Sequence, residues 1–425
     1  MTKPTDSAGK ARSLSGRADF HRMWAADTIS YFGTAVSAVA LPILAVEELG
    51  ASTLEVGIIS ASGVVSWLLF GLFAGVWIDR RAKRPLLILC DLVRAAALFS
   101  VPLVAAMDML TIPYLVGVAA TVGFASVFFD IASQTYLPAV IESKELVAGN
   151  SKLQVSDTAA QTAGPAVGGA LVQTFGAVTS LFVDAFSYLL SAVLLGRIRK
   201  QEVVRVPKSS AVWPQIREGL VFVWRDPVFR PLMLVAVGLN FLGRAFDTLL
   251  VPFLLHEFDL SPGEVGLALA IGGVGALAGS ALGPLLARRF GEARSLWIAA
   301  FAGPPLGLLV PLSDWGPQAV LFAIGLLARE AGIAMFSLLA RSIRQITSPP
   351  ELLARVTATI KFVSWGVLPF GALAGGALGQ FLGERAAMVV FSLLLLLVGA
   401  PLLFVSMKDV QNQVDAAHRQ AAAQG

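Results

Sequence analysis

Apolar runs of about 20 residues recur along the chain, separated by short segments where Gly, Pro and charged residues gather. A helical run of that length crosses a hydrocarbon core about 30 Å thick. The runs are too long and too continuously apolar for the alternating pattern of a barrel strand, which leaves the helix as the spanning element. Twelve spans are predicted, over 23–46, 56–78, 86–107, 112–138, 153–175, 178–196, 230–255, 265–286, 295–312, 318–340, 356–381 and 386–406. The predicted fold class is therefore an all-α integral membrane protein with twelve transmembrane helices. Its expected organisation is a tail over 1–20, a six-helix bundle over 21–196, a linker over 197–229, a second six-helix bundle over 230–406 and a tail over 407–425.

The two bundles repeat one pattern. Ser52-Thr53-Leu54-Glu55-Val56-Gly57 returns as Ser261-Pro262-Gly263-Glu264-Val265-Gly266. The run Gly75 to Arg81 returns as Gly283 to Arg289, keeping the glycine and two arginines but losing the acid. Glu145-Leu146 with Gly168-Gly169-Ala170 returns as Glu351-Leu352 with Gly375-Gly376-Ala377. Parallel repeats of this kind are related by an axis along the membrane normal, and two such bundles can rock about a central site.

The composition agrees, with 56% hydrophobic and only 14% charged residues, against about 25% charged in soluble domains. The net charge of +4 would suit nucleic acid. However, all but five of the 32 Lys and Arg (Arg94, Arg244, Arg329, Lys361 and Arg385) fall in the tails and even-numbered loops or at their edges. The odd-numbered loops are acidic, with Glu47, Glu48, Asp108, Glu257, Asp259 and Asp314. That asymmetry is a topology signal and predicts both termini in the cytoplasm, with no nucleic-acid partner. One cysteine, Cys90, excludes an internal disulfide, and no cleavable leader is expected before the first run.

The loop after the second span reads Gly75-Val76-Trp77-Ile78-Asp79-Arg80-Arg81-Ala82-Lys83-Arg84. This Gly-x-x-x-Asp-Arg-x-x-x-Arg pattern resembles the signature of the major facilitator superfamily, and the resemblance covers essentially the whole chain. A softer likeness, carried by Phe128-Phe129-Asp130-Ile131-Ala132, Leu137-Pro138, Gly149-Asn150, Gly164-Pro165, Gly168-Gly169 and Asp184-Ala185-Phe186-Ser187-Tyr188, is to the branch of macrolide efflux proteins and the enterobactin exporter. The superfamily resemblance implies two pseudo-symmetric bundles, an alternating-access transporter in a bacterial-type cytoplasmic membrane, and a gating role for Gly75, Asp79, Arg80 and Arg84. Asp79 lies one turn beyond Gly75 on the same face, where a carboxylate can accept N–H groups from the start of a neighbouring helix. In the family that neighbour is the eleventh helix, here starting near 355–359. The alternative for the cations is topology alone.

Ionisable groups inside spans are expensive and functional by default. Asp27, Asp157, Asp184 and Lys361 lie toward span ends, where capping or interfacial solvation explains them as well as transport does. Asp184 is expected near the outer surface. Deeper groups are Asp130, Arg244, Asp247, Arg329 and Glu330. Asp91 with Arg94, and Arg244 with Asp247, have the i, i+3 spacing of an internal ion pair. The resemblance puts helices one, four, seven and ten around the cavity, so Glu330, Asp247 and Asp130 are the candidates for proton coupling. The candidate substrate-cavity residues are Tyr31, Phe32, Phe129, Arg244, Phe246, Arg329, Met335 and Phe336; aromatic and thioether surfaces suit bulky amphipathic compounds. Packing against lipid or protein is the alternative for each. The segment from Val212 to Trp224 reads as an amphipathic helix at the membrane surface.

No Gly-x-x-x-x-Gly-Lys-Ser/Thr run is present, so ATP hydrolysis is not the expected energy source. Three His and one Cys form no metal cluster in the sequence, and no cofactor or enzymatic activity is expected. The functional expectation is a proton-coupled exporter of amphipathic small molecules (a drug, a macrolide-like compound or a siderophore), working as a monomer. Two alternatives stay open: an uptake or lipid-translocating transporter on the same fold, and a receptor or scaffold that no longer transports.

Overall fold

The structure is a computed structural model, described over residues 18–142, 145–199, 212–314, 316, 319–348, 352–404 and 410–411. The regular elements among the described residues are all helical: α1 (Ala18–Ile43), α2 (Thr53–Asp79), α3 (Lys83–Ala105), α4 (Ile112–Val140), α5 (Leu146–Phe175), α6 (Ala177–Gly196), α7 (Val212–Arg225), α8 (Phe229–His256), α9 (Pro262–Phe290), α10 (Glu292–Phe301), α11 (Leu309–Leu312), α12 (Ala319–Thr347), α13 (Leu353–Gly366), α14 (Leu368–Leu382), α15 (Glu384–Val398) and α16 (Ala400–Leu403). Each of the twelve expected spans falls on a helix or a broken pair. Eleven are long and apolar enough to cross a membrane. The remaining one, α5, has the length at 30 residues, but it is rich in Ser, Thr, Gln and Gly. It packs between α1 and α9, so two of its faces meet other helices.

Local chemistry explains the boundaries. Ser52 and Glu55 form a capping box at the start of α2, with the Ser52 N–H donating to Glu55 Oε2 at 2.8 Å. Ser261 and Glu264 repeat it at the start of α9, at 2.9 Å. These satisfy N–H groups that have no partner within the helix. Gly176 and Gly383 adopt φ of +83° and +82° and let α5 turn directly into α6, and α14 into α15; a side chain at that φ would be strained. Pro304-Pro305 break the ninth span into α10, a 3₁₀ turn over Pro304–Leu308, and α11, because consecutive prolines remove two backbone donors. Pro369 starts α14 after a break at Val367.

The linker helix α7 carries the expected amphipathic pattern, and the structure docks it on the bundle. Val223 is fully buried, Gly219 lies against Arg355 and Thr359 of α13, and Glu218 pairs with Arg355. The Trp213 side chain lies outside the described residues.

The two halves meet through α2 against α14 and α5 against α9. A Cβ added to Gly57 would lie 2.8 Å from the Gly376 Cα, and one added to Gly169 would lie 2.8 Å from the Gly266 Cα. Small residues let the backbones approach this closely. Both joints lie toward the end of the bundle that carries the acidic loops, hereafter the acidic end. At the opposite, basic end, a Cβ on Gly75 would meet nothing within 4 Å.

Candidate functional site

Between the halves lies a cavity of about 420 Å³. Helical periodicity builds its wall: Thr34, Ser37, Ala38 and Leu41 form one stripe of α1, and Val56, Ile59, Ser60, Gly63 and Trp67 form one of α2. The C-terminal half contributes Arg244, Asp247, Thr248 and Val251 from α8. The lining is mostly apolar with a few convergent polar groups, the usual make-up of a small-molecule site.

Two of the expected residues occupy this wall together, but not as the expected pair. The Arg244 Nη2 donates across the halves to Ser60 Oγ at 2.6 Å. Asp247 turns instead to Arg329, with Oδ1 3.0 Å from Nη1. The i, i+3 salt bridge between Arg244 and Asp247 is therefore replaced by two contacts to other helices. Arg329 comes from α12 and is wholly buried. The same Nη1 also contacts Glu330, its Nη2 donates to the Gly243 carbonyl at 3.0 Å, and its guanidinium sits over the Phe246 ring at 4.3 Å. Asp247 is the accessible member, with a side chain 46% exposed toward the cavity.

Arg329 and Phe246 thus stand behind the wall rather than in it. Met335 and Phe336 are buried core residues of α12. Phe129 is buried against Arg94, so the alternative of packing holds for it. Tyr31 extends the α1 stripe one turn beyond the cavity, and Phe32 lies off that stripe; both are half-buried. Asp130 is half-buried on α4, within electrostatic reach of Arg94, Lys361 and Asp157. Lys361 stacks over Trp67 and Trp365 at 4.9 and 4.4 Å, where those two rings meet edge to face across the halves.

Sequence reasoning missed much of the polar lining: Thr34, Ser37, Ser60, Asp184, Tyr188 and Thr248. Asp184 was expected near the surface; it is 1% exposed and reaches the cavity wall from α6. The reason is that Gly33 leaves space for it. A Cβ there would lie 2.5 Å from Asp184 Oδ1. The small and hydroxylated stripe of α1, Thr34-x-x-Ser37-Ala38, was the available signal.

Of the residues expected to gate, Arg84 donates Nε to the Leu195 carbonyl at 2.9 Å and also bonds the Gly196 carbonyl, capping the end of α6. Arg80 is exposed, and Arg81 stacks over Trp77 at 5.0 Å. The Asp79 side chain lies outside the described residues. A polar contact between the halves does stand at the acidic end. Thr53 on α2 donates to Glu384 Oε1 at 2.5 Å, and His256 Nδ1 at the end of α8 lies 3.3 Å from the same oxygen. Among the described residues no group of three or more His, Cys, Asp or Glu could hold a metal ion.

The family model described as Major Facilitator Superfamily matches residues 23–369 and again 233–423. The chain belongs to the Major Facilitator Superfamily. It is a multi-pass membrane transporter, and the signature loop and duplicated halves take their meaning from that membership. Among its superfamily relatives, a multidrug efflux pump, Tap, of Mycolicibacterium fortuitum is 27% identical over 401 residues, covering 88% of this chain and 92% of the relative. Macrolide efflux protein A of Streptococcus pyogenes is 21% identical, covering 86% and 90%. The fold is also that of the nucleoside transporter NupG, with a TM-score of 0.73 at 12% identity over 91% of this chain and 98% of that one. A bacterial homologue of the iron transporter ferroportin in an inward-facing state aligns with a TM-score of 0.70 at 18% identity, covering 92% and 100%.

Proposed function

We propose that this superfamily member exports amphipathic small molecules in exchange for protons. The observation that carries the reading is the Asp247–Arg329–Glu330 cluster, which reaches from the cavity wall at Asp247 into the helices behind it. One buried guanidinium serves two carboxylates from two helices, so protonating either carboxylate redistributes its bonds. A proton on Glu330 releases Arg329 toward Asp247 and draws that carboxylate away from the cavity. Loss of the proton frees Asp247 to meet a cationic or hydrogen-bonding substrate. Coupling of this kind needs carboxylates that are sheltered yet reachable by water, and Asp247 and Glu330 meet that description.

The cavity's apolar stripes favour a ligand with a large apolar body, and Arg244, Asp247, Ser60 and Thr34 supply the polar contacts that orient it. Export rather than uptake is supported by the efflux relatives. The excess of Lys and Arg at the basic end supports an orientation with both termini in the cytoplasm. In that orientation the glycine joints and the Glu384 latch close the outer side, and Asp79 is the group that would secure the inner side in the opposite state. Proteoliposomes holding the purified chain test the reading. Addition of a bound amphipathic compound should drive proton movement and its own uphill transport, and a protonophore should abolish both. Uphill transport indifferent to the proton gradient would overturn the proton-coupled reading.

A further inference from the structure

We propose that the groove where α7, α8 and α15–α16 converge at the basic end holds the phosphate headgroup of an anionic phospholipid. The space measures about 660 Å³ and lies apart from the transport cavity. Trp224 and Arg225, from the last turn of α7, form one side. Arg230 and Leu234 of α8 form the floor, and Leu397 and Phe404 close the far side.

Three observations point to a lipid. First, Arg225 and Arg230 are exposed, and neither has an ion-pair or hydrogen-bond partner among the described residues. The one acid in the groove, Asp226, is already engaged: its Oδ1 accepts the N–H groups of Val228 and Phe229 at 2.8 and 2.9 Å, capping α8. The two guanidinium groups are thus available to a phosphate, which they match by geometry as well as charge. Second, the walls beyond the arginines are apolar and uncovered, with Leu397 65% and Phe404 89% exposed. In a membrane-spanning chain such surface faces acyl chains, so a headgroup at the arginines has its tails already placed. Third, Trp224 is half-exposed beside Arg230, whose guanidinium lies 5.9 Å from the ring centroid. A tryptophan between a cationic and an apolar surface marks the headgroup level. Basic pockets between helix ends at that level recognise anionic lipid headgroups. A bound lipid would also tie α7, the connection between the halves, to the last span.

The test uses the full chain in detergent, with phosphatidylglycerol and phosphatidylcholine offered together and retention read by native mass spectrometry. Wild-type protein should retain phosphatidylglycerol preferentially, and Arg225→Gln with Arg230→Gln should lower that preference about tenfold. Equal retention of the two lipids, or an undiminished preference in the double variant, would overturn the proposal. Inorganic phosphate in excess should not displace the lipid; displacement would assign the groove to a free phosphate instead. A measurement on wild-type protein covers the case of a misfolded variant. Phosphatidylglycerol with a photoreactive acyl chain should crosslink to Leu234, Leu397 or Phe404, and crosslinks confined to other surfaces would refute the site.

Discussion

Each half of the molecule buries one arginine under aromatic rings and beside carboxylates, and the two clusters work differently. In the N-terminal half, Arg94 lies between the rings of Phe129 and Tyr188, each at 4.1 Å, and pairs with Asp91 three residues earlier on the same helix. Both charged groups are buried. In the C-terminal half, Arg329 reaches from α12 to Asp247 on α8, and one of its carboxylate partners opens onto the cavity. A pair confined to one helix keeps its geometry however the helices move. A pair strung between helices and touched by solvent can be redistributed by a proton or a ligand. Under the proposed proton coupling the first cluster would act as a brace and the second as a switch, although both are built from similar residue types.

The largest expected effect breaks the brace. Arg94→Leu leaves Asp91 buried and uncompensated, a loss of about 3–5 kcal/mol for a broken buried pair. The yield of monodisperse protein should collapse, and Asp91→Asn in the same chain should restore much of it. Disruption of the switch should spare folding but not coupling. Glu330→Gln and Asp247→Asn should each lower uphill transport by roughly tenfold or more, the scale of removing one interaction worth about 1.4 kcal/mol, while downhill exchange continues. Equal damage to both modes would make the second cluster a brace as well. Asp79→Asn should come next, slowing turnover several-fold with insertion unchanged; normal turnover would remove that loop from gating. The smallest effect belongs to Thr53→Val at the outer latch. Losing one of the two contacts to Glu384 Oε1, with His256 left in place, should modestly raise labelling of a cysteine placed at Val56 in a Cys90→Ala background. Unchanged labelling would mean that the glycine joints alone keep that end shut.

The architecture was legible because it rests on periodic and repeated signals. The repeated Ser52–Gly57 and Ser261–Gly266 segments, the Gly168-Gly169 and Gly375-Gly376 pairs and the apolar runs all appear in the structure as helix starts and close contacts. The cavity was less legible, since lipid-facing, core and cavity surfaces are all apolar along these spans. Aromatic residues such as Phe246 and Phe336 serve as support or core, while much of the polar lining comes from small hydroxylated residues such as Ser37 and Ser60. Asp247 was found because a charge in a span stands out. Its partner was misjudged because spacing along one helix says nothing of an arginine arriving from another.

Gly57 and Gly266 occupy matching places in the repeat, as do Gly169 and Gly376, so the two joints between the halves are copies of each other. Each half therefore rests on its neighbour at two points with no side chain in between, like a slab on twin bearings. Thickening one bearing alone, as Gly57→Ala would, acts as a shim: it tips one half about the other point instead of pushing the halves straight apart. A single methyl group would then become a lever on the relative tilt of two whole bundles.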